Sequence, residues 1–170
     1  MITEAKNLLE EIVKKRVPGV TVARSLAEEQ KAYRDRKFPL VALITSPGPF
    51  SEKEAQTVRY FDENKKYQQR YVRGNRNLPI QIRCWAEGEE AADKAFSCII
   101  PAIPSRWTYD DFTGSIEIGT EEHSDHAGNT SKLYLSVIDV RFCVAAAMEP
   151  GELPYYDNVV LEGAEIAKPK

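Results

Sequence analysis

The sequence predicts an α+β domain, with a mainly antiparallel β-sheet and two main helices packed on one of its faces. Two segments place apolar residues at three- and four-residue steps, the spacing of a helix with one buried side. Five further segments alternate apolar and polar residues or are rich in strand-forming residues. Short connections rich in turn residues separate several of these strands, which favours antiparallel neighbours. The predicted order is α-(α)-β-β-β-α-β-β.

The first helix is predicted over residues 4–16. Thr3 can cap its start, and Val17-Pro18-Gly19 ends it. Its apolar stripe consists of Ala5, Leu8, Leu9, Ile12 and Val13. A second helical segment follows, because Ser25 to Glu28 can form a capping box. The body of this second segment is almost wholly polar.

A central strand is predicted over residues 38–45, where the run FPLVALIT ends at the breaker sequence SPGP. The stretch SPGPFSEKEAQ is predicted to be a loop with one helical turn, since Ser51 and Glu54 form another capping box. Residues 68–74 and 78–86 alternate, and Gly74 to Asn77 supply turn residues between them, so we expect a β-hairpin. The residues expected on one face of its second strand are Leu78, Ile80, Ile82 and Cys84, with Gln81, Arg83 and Trp85 on the other.

A second core helix is predicted over residues 87–101, because its acidic start suits a helix N-terminus and its apolar residues recur at helical spacing. Strands are predicted over 115–121 and 132–146, with EEHSDHAGN (121–129) as the turn between them. The residues expected on one face of the last strand are Tyr134, Ile138, Val140, Phe142 and Val144.

Residues 1–148 are predicted to form a single domain, and residues 149–170 an extended C-terminal arm. The arm contains prolines and glycines and has no repeated apolar pattern that could bury a core. Its YYDNVVL stretch, which begins with Tyr155 and Tyr156, is a candidate contact with its own domain or with a neighbouring subunit.

Composition limits the classes of function. The net charge of −3 on 170 residues argues against a broad nucleic-acid-binding surface. The three cysteines, Cys84, Cys98 and Cys143, are odd in number and lie in apolar or strand-like contexts, so we expect buried thiols in a reducing compartment. The N-terminal segment is not typical of a signal peptide, and no run of residues approaches the length of a membrane span. A cytosolic protein with no membrane contact is expected.

The segment 121–129 contains both histidines of the chain, among acidic residues. His123, His126 and Asp125 are weak candidates for a metal site, because imidazole and carboxylate are zinc ligands. No further Cys or His completes a ligand set, and Asp, Gly and Asn suit a turn, so the turn is the favoured interpretation. No serine or cysteine is matched with a histidine base in a recognisable motif. We expect no catalytic residues, no cofactor and no enzyme.

A group of arginines surrounds the predicted 68–86 hairpin and is interleaved with aromatic residues. The group consists of Arg70, Arg73, Arg76 and Arg83, with Tyr67, Tyr71 and Trp85. Arginines and aromatics can follow phosphates and stack on bases, which would suit a small nucleic-acid-binding module. A solvated strand face, or salt bridges to an acidic neighbour in an assembly, is the favoured alternative.

The order of elements and several local stretches resemble the tail terminator (tail-completion, neck) proteins of tailed bacteriophages. The resemblance lies in FPLVALIT, in RYVRGNRNLPIQIRCWAEGEEAADKAFSCIIPAIP, and in GSIEIGTEEHSD followed by a long final strand. It covers roughly residues 5–146 and is clearest over 66–146.

This resemblance implies a structural protein of a phage or prophage virion, assembled in the bacterial cytoplasm. Such proteins form rings, commonly hexamers, that cap the tail tube and dock to the head–tail connector. DNA passes their channel without sequence-specific binding. A head-closure or other neck component is an alternative within the same biology. The residues that we expect to contact neighbouring subunits or the tube are Arg70, Arg73, Arg76, Glu121, Glu122, Asp125, Tyr155 and Tyr156.

Overall fold

The computed structural model describes the backbone of residues 1–61, 67–109, 112–128 and 131–148. It describes their side chains except at 52–61, 67–71, 73, 112, 125–128, 131, 132, 147 and 148. The helices are α1 (Ile2–Arg16), α2 (Leu26–Arg34) and α3 (Glu89–Ile99). The strands are β1 (Thr21–Ala23), β2 (Leu40–Thr45), β3 (Phe50–Phe61), β4 (Tyr67–Glu87), β5 (Arg106–Tyr109), β6 (Phe112–Gly128) and β7 (Ser131–Met148). This arrangement confirms the α+β class.

The strands form one sheet with the order β1-β2-β4-β7-β6-β5, and β3 also pairs with β4. Only β1 and β2 are parallel among the described pairs. β2 pairs with Ile80–Trp85 of β4, and β3 pairs with Tyr67–Arg76 of the same strand. The strands β2 and β3 therefore lie one after the other along a single edge of β4. We call β3 and its partner segment Tyr67–Arg76 the β3–β4 ribbon.

The SPGP sequence at 46–49 makes the break between β2 and β3. The Asn77 side-chain amide donates a hydrogen bond to the Pro49 carbonyl oxygen across this break, at 3.0 Å. Gly48 passes so close to β4 that a Cβ there would collide with the Asn77 carbonyl oxygen. The glycine is therefore required by close approach of two backbones.

Two local predictions in this region are wrong. Residues 50–61 form β3 rather than a loop with a helical turn. Gly74 to Asn77 lie inside β4 rather than in a hairpin turn, because they are paired with β3 or β7. Pairing along both edges of β4 outweighs the local turn preference of Gly and Asn, which is a typical tertiary override. The short strands β1 and β5 were not predicted.

Helices α1 and α3 pack on one face of the sheet, as predicted. Their apolar stripes meet the alternating residues of β2, β4 and β7 in the main core. The fully or almost fully buried side chains here include Leu9, Val13, Val41, Ile80, Ile82, Cys84, Phe96, Ile99, Val140 and Phe142. The faces predicted for residues 78–85 and 138–144 are confirmed, because Leu78 to Cys84 and Ile138 to Val144 alternate into this core.

Helix α2 packs on the opposite face of the sheet. The Ser25 hydroxyl accepts a hydrogen bond from the Glu28 amide at 3.2 Å, so Ser25 caps this helix as expected. The apolar cluster beneath α2 is small and consists of Ala23, Ala32, Leu40, Ala42, Trp85 and Leu135. Glu29 of α2 is also buried there. A polar contact thus contributes to the packing on this face.

Candidate functional site

The acidic and histidine-containing segment lies in a strand, not in a turn. β6 continues to Gly128 and β7 begins at Ser131, so Glu121 to Gly128 are paired residues. The predicted turn at 121–129 is wrong over these residues. The register shifts between Ile118 and Glu121, which is a β-bulge that changes the alternation of β6. Because of this bulge, the alternation of residues before it does not predict which face of the sheet the residues after it occupy.

Glu121, His123 and Ser136 form a chain of polar contacts on the face that also carries α3. His123 lies opposite Ser136 in the register, and its Nδ1 is 2.8 Å from the Ser136 hydroxyl. The His123 Nε2 is 3.4 Å from a Glu121 carboxylate oxygen. Residues two apart on a strand share a face, which brings Glu121 beside His123. Glu122 is exposed and pairs with Val137.

This chain contains the groups of a serine–histidine–acid site, but its accessibility does not suit nucleophilic catalysis. Ser136 is only 2% exposed, whereas the side chain of His123 is 55% exposed. A nucleophilic hydroxyl must meet the substrate carbonyl, and here the exposed group is the imidazole. The contacts therefore fix the orientation of His123 at the sheet surface.

His123 and Ser136 line a cavity of about 430 Å³ together with the start of α3. Its other polar side chains come from Ser124 of β6, from Glu89 and Asp93 of α3, and from Tyr134 of β7. Within the described part of the chain, no group of three or more His, Cys, Asp or Glu side chains could hold a metal ion. The side chains of Asp125 and His126, two of the three metal candidates, lie outside the described residues.

The arginine candidates are distributed along β4, and Arg83 lies apart from the other three. Arg70 and Arg73 lie in the β3–β4 ribbon, and Arg73 is at a register shift between Val72 and Gly74. Their side chains lie outside the described residues, whereas that of Arg76 is exposed. Arg83 is in the structural cluster beneath α2: its guanidinium is 3.2 Å from a Glu29 carboxylate oxygen and lies over the Trp85 ring.

The three thiols differ in exposure, and one prediction fails. Cys84 is buried in the main core, and this burial raises the pKa of its thiol to about 12. Cys143 is half-buried, and burial is the main cause that raises its pKa. Cys98 is exposed, contrary to the expectation of a buried thiol. It lies on α3 beside the buried stripe of Ala92, Ala95, Phe96 and Ile99.

Sequence reasoning missed the partners of several predicted residues. The sequence pattern indicates only that Ser136 is a strand residue, and its contact with His123 depends on the register of two long strands. The pattern around Glu29 indicates only a polar helix. Glu29 and Trp85 are far apart in the chain, so no local pattern indicates their contact. The arm residues Tyr155 and Tyr156 lie outside the described residues.

Comparison with models of protein families finds no match for this chain, and comparison with curated proteins finds no significant match. Within the described residues, no helix has the length and apolar character needed to cross a membrane.

Proposed function

We propose that this chain is a tail terminator-like structural protein of a phage or prophage, which forms a ring on the end of a tail tube and docks to a head-side connector. It acts by assembly rather than by catalysis. The resemblance of its sequence to the tail terminator proteins motivates the proposal. The feature of the fold that best supports it is the β3–β4 ribbon.

Within the described residues, the ribbon extends past the paired part of β7. β7 pairs with β4 as far as Tyr71, opposite the last described residue Met148, whereas β3 continues to pair with β4 to Tyr67. In the described part of the chain, the other edge of β3 has no partner strand. A two-stranded ribbon is marginally stable alone in water, and an open strand edge favours pairing with another chain. A neighbouring copy that covers the ribbon would stabilise it and would pair with its open edge.

The arrangement of the arginines favours assembly over a nucleic-acid-binding module. Arg83 is paired with Glu29, and Trp85 donates its indole N–H to the same carboxylate at 2.7 Å. Trp85 is also packed edge-on against Tyr33. These two members of the arginine–aromatic group are engaged within the domain, so they are not a surface on which bases could stack.

The proposal is tested by the mass and shape of the assembled protein. We expect concentrated protein to form closed rings of several copies, seen by negative-stain microscopy and by mass photometry. When mixed with purified tail tubes of the same phage, the rings should be found at tube ends. A protein that stays monomeric at every concentration and also fails to bind tube ends would contradict the proposal.

A matched pair of proline substitutions separates the ribbon from the rest of the sheet. Thr57→Pro removes a backbone donor within the ribbon, and Thr108→Pro makes the same change in β5, at the other edge of the sheet. We expect Thr57→Pro to abolish rings and Thr108→Pro to retain them. Far-ultraviolet circular dichroism of each variant checks that the fold persists. If Thr57→Pro disrupts the ribbon and rings still form, the ribbon is not part of the interface between subunits.

A further inference from the structure

An apolar groove lies between the end of α1, the segment before β2, and α3. It has a volume of about 310 Å³. Its apolar lining consists of Val17, Pro18, Phe38, Pro39, Ala86, Ala91 and Ala95. Arg16 and Lys94 place two cations at this groove, and Glu87 contributes one carboxylate. Cys98, the exposed thiol, also lines it. The groove is therefore apolar inside and mainly cationic among its charged groups.

We propose that this groove binds the C-terminal arm of a second copy of the chain, with Tyr155 and Tyr156 as its apolar anchors. The inference deepens the proposed function by naming a contact between subunits. It rests on the proposed function in one respect, namely that copies of the chain associate with one another. Tyrosine suits a groove of this kind, because it buries a large ring at little entropic cost and is frequent among the residues that dominate binding energy.

The charges of the arm match those of the groove. Glu149, Glu152 and Asp157 flank the tyrosine pair, and no Lys or Arg occurs in the arm before Lys168. Arg16 and Lys94 are correctly placed to attract such an acidic segment, and a cation beside an aromatic ring is itself favourable. Charge complementarity thus favours the arm over a basic or neutral peptide.

The reach of the arm selects a second copy rather than the same chain. The last described residue, Met148, pairs with Tyr71 at one end of β4, whereas the groove includes Ala86, which pairs with Tyr134 near the other end. The stretch of β7 from Tyr134 to Met148 corresponds to about 46 Å of strand. The seven residues from Met148 to Tyr155 span at most about 25 Å when fully extended. On these lengths the tyrosines fall short of their own groove, so the proposed donor of the arm is an adjacent subunit.

The exposed Cys98 provides a direct test in the full-length chain. Asp157→Cys places a thiol next to the tyrosine pair, where a bound arm would bring it to Cys98 of another copy. Mild oxidation should then give disulfide-linked dimers and larger species on a non-reducing gel, because such a bond requires Cβ atoms about 4 Å apart. The same species should be absent when Cys98→Ser is added.

Two controls distinguish specific docking from random collision. Thr108→Cys places a thiol at another exposed position on β5 and should give no ladder above the wild-type level. Adding Tyr155→Ala and Tyr156→Ala to the Asp157→Cys chain should lower the cross-linked fraction about tenfold, as expected for the loss of anchor residues. Ala91→Glu, at an exposed groove position, should have the same effect without disturbing the core.

The possible outcomes separate this inference from the proposed function. Cross-linking within one chain, or a yield no higher than that of Thr108→Cys, overturns the inference. Rings that form with no cross-link contradict arm docking and leave the tail terminator proposal standing. Specific cross-linked oligomers from a protein that never caps tail tubes support arm docking and contradict the tail terminator proposal.

Discussion

The two faces of the sheet are packed by different kinds of interaction. The face under α1 and α3 is covered by a continuous apolar cluster that spans β2, β4, β6 and β7. The face under α2 has a much smaller apolar cluster and a buried carboxylate, Glu29, that holds both Trp85 and Arg83. The first face gains stability from buried area, whereas the second depends on a few contacts of defined geometry.

This difference explains why a polar helix can be part of a stable domain. α2 has nine residues, of which only Glu29 and Ala32 are buried. Hydrophobic burial alone would hold such a short helix weakly. The carboxylate of Glu29 supplies the specificity: it accepts the Trp85 indole N–H at 2.7 Å and pairs with Arg83 at 3.2 Å. Four substitutions test this contrast, from the largest expected effect to the smallest.

Phe142→Ala tests the apolar face and should have the largest effect. Phe142 is fully buried and packs edge-on against Trp107. We expect a loss of about 3–5 kcal/mol in the free energy of unfolding, from lost transfer energy and the cavity left behind. Urea denaturation monitored by circular dichroism measures it. Ile118→Ala, on the exposed part of β6, is the control and should change stability by less than about 1 kcal/mol. Equal effects at both positions would contradict the assigned core.

Glu29→Ala tests the polar contact under α2. The substitution leaves the Trp85 indole N–H and the Arg83 guanidinium without their carboxylate. We expect a loss of about 2 kcal/mol, which is less than for a fully buried pair because Arg83 is 24% exposed. Urea denaturation again gives the value.

Glu29→Gln is the matched control for this position, because the amide oxygen can still accept from Trp85. It should lose less stability than Glu29→Ala. A double-mutant cycle with Arg83→Met should give a coupling energy above about 0.5 kcal/mol. Additive effects of the two substitutions would show that Glu29 and Arg83 do not interact in solution.

The pKa of the Cys84 thiol measures how completely water is excluded from the apolar face. Burial raises its pKa from 9.0 to about 12, so in the folded protein the thiol keeps its proton at pH values where the unfolded chain loses it. Unfolding then releases a proton, and stability must fall as the pH rises between about 9 and 12. The slope from this one group approaches about 1.4 kcal/mol per pH unit.

Other groups also titrate in this range, so the wild-type slope is compared with that of Cys84→Ala. The difference between the two slopes isolates the thiol. In the wild-type protein, a thiol reagent at pH 8 should modify Cys98 well before Cys84, because only the first is exposed. Identical slopes for the two proteins would mean that Cys84 is solvated.

Ser25→Ala should have the smallest effect. It removes the hydroxyl that accepts from the Glu28 amide at the start of α2, with an expected loss of about 1 kcal/mol. Thermal unfolding measures it. Ser97→Ala, at an exposed position in α3, is the control and should be neutral or slightly stabilising, since alanine is the better helix former. A similar loss for both serines would argue against a specific cap.

Regular periodicity in the sequence predicts the apolar face. Strand pairing determines the features that the sequence does not predict. Local spacing determines the stripes of α1 and α3 and the alternation from Leu78 to Cys84, so the sequence alone predicts them. Gly74 to Asn77 have strong turn character but are paired within β4, and Glu121 is displaced by a bulge. The contact of His123 with Ser136 follows from that register. These features depend on residues far away in the chain, which a local pattern cannot contain.

The break at residues 46–49 has a consequence for how this fold can diverge. β2 and β3 each set their own register against β4, and the proline- and glycine-containing break separates the two registers. Paired insertions or deletions in β3 and at Tyr67–Arg70, the part of β4 that has no described partner in β7, can therefore lengthen or shorten the ribbon while Ile80–Trp85 keep their partners. The domain is built so that a family of related chains could vary the length of this projection over one unchanged core.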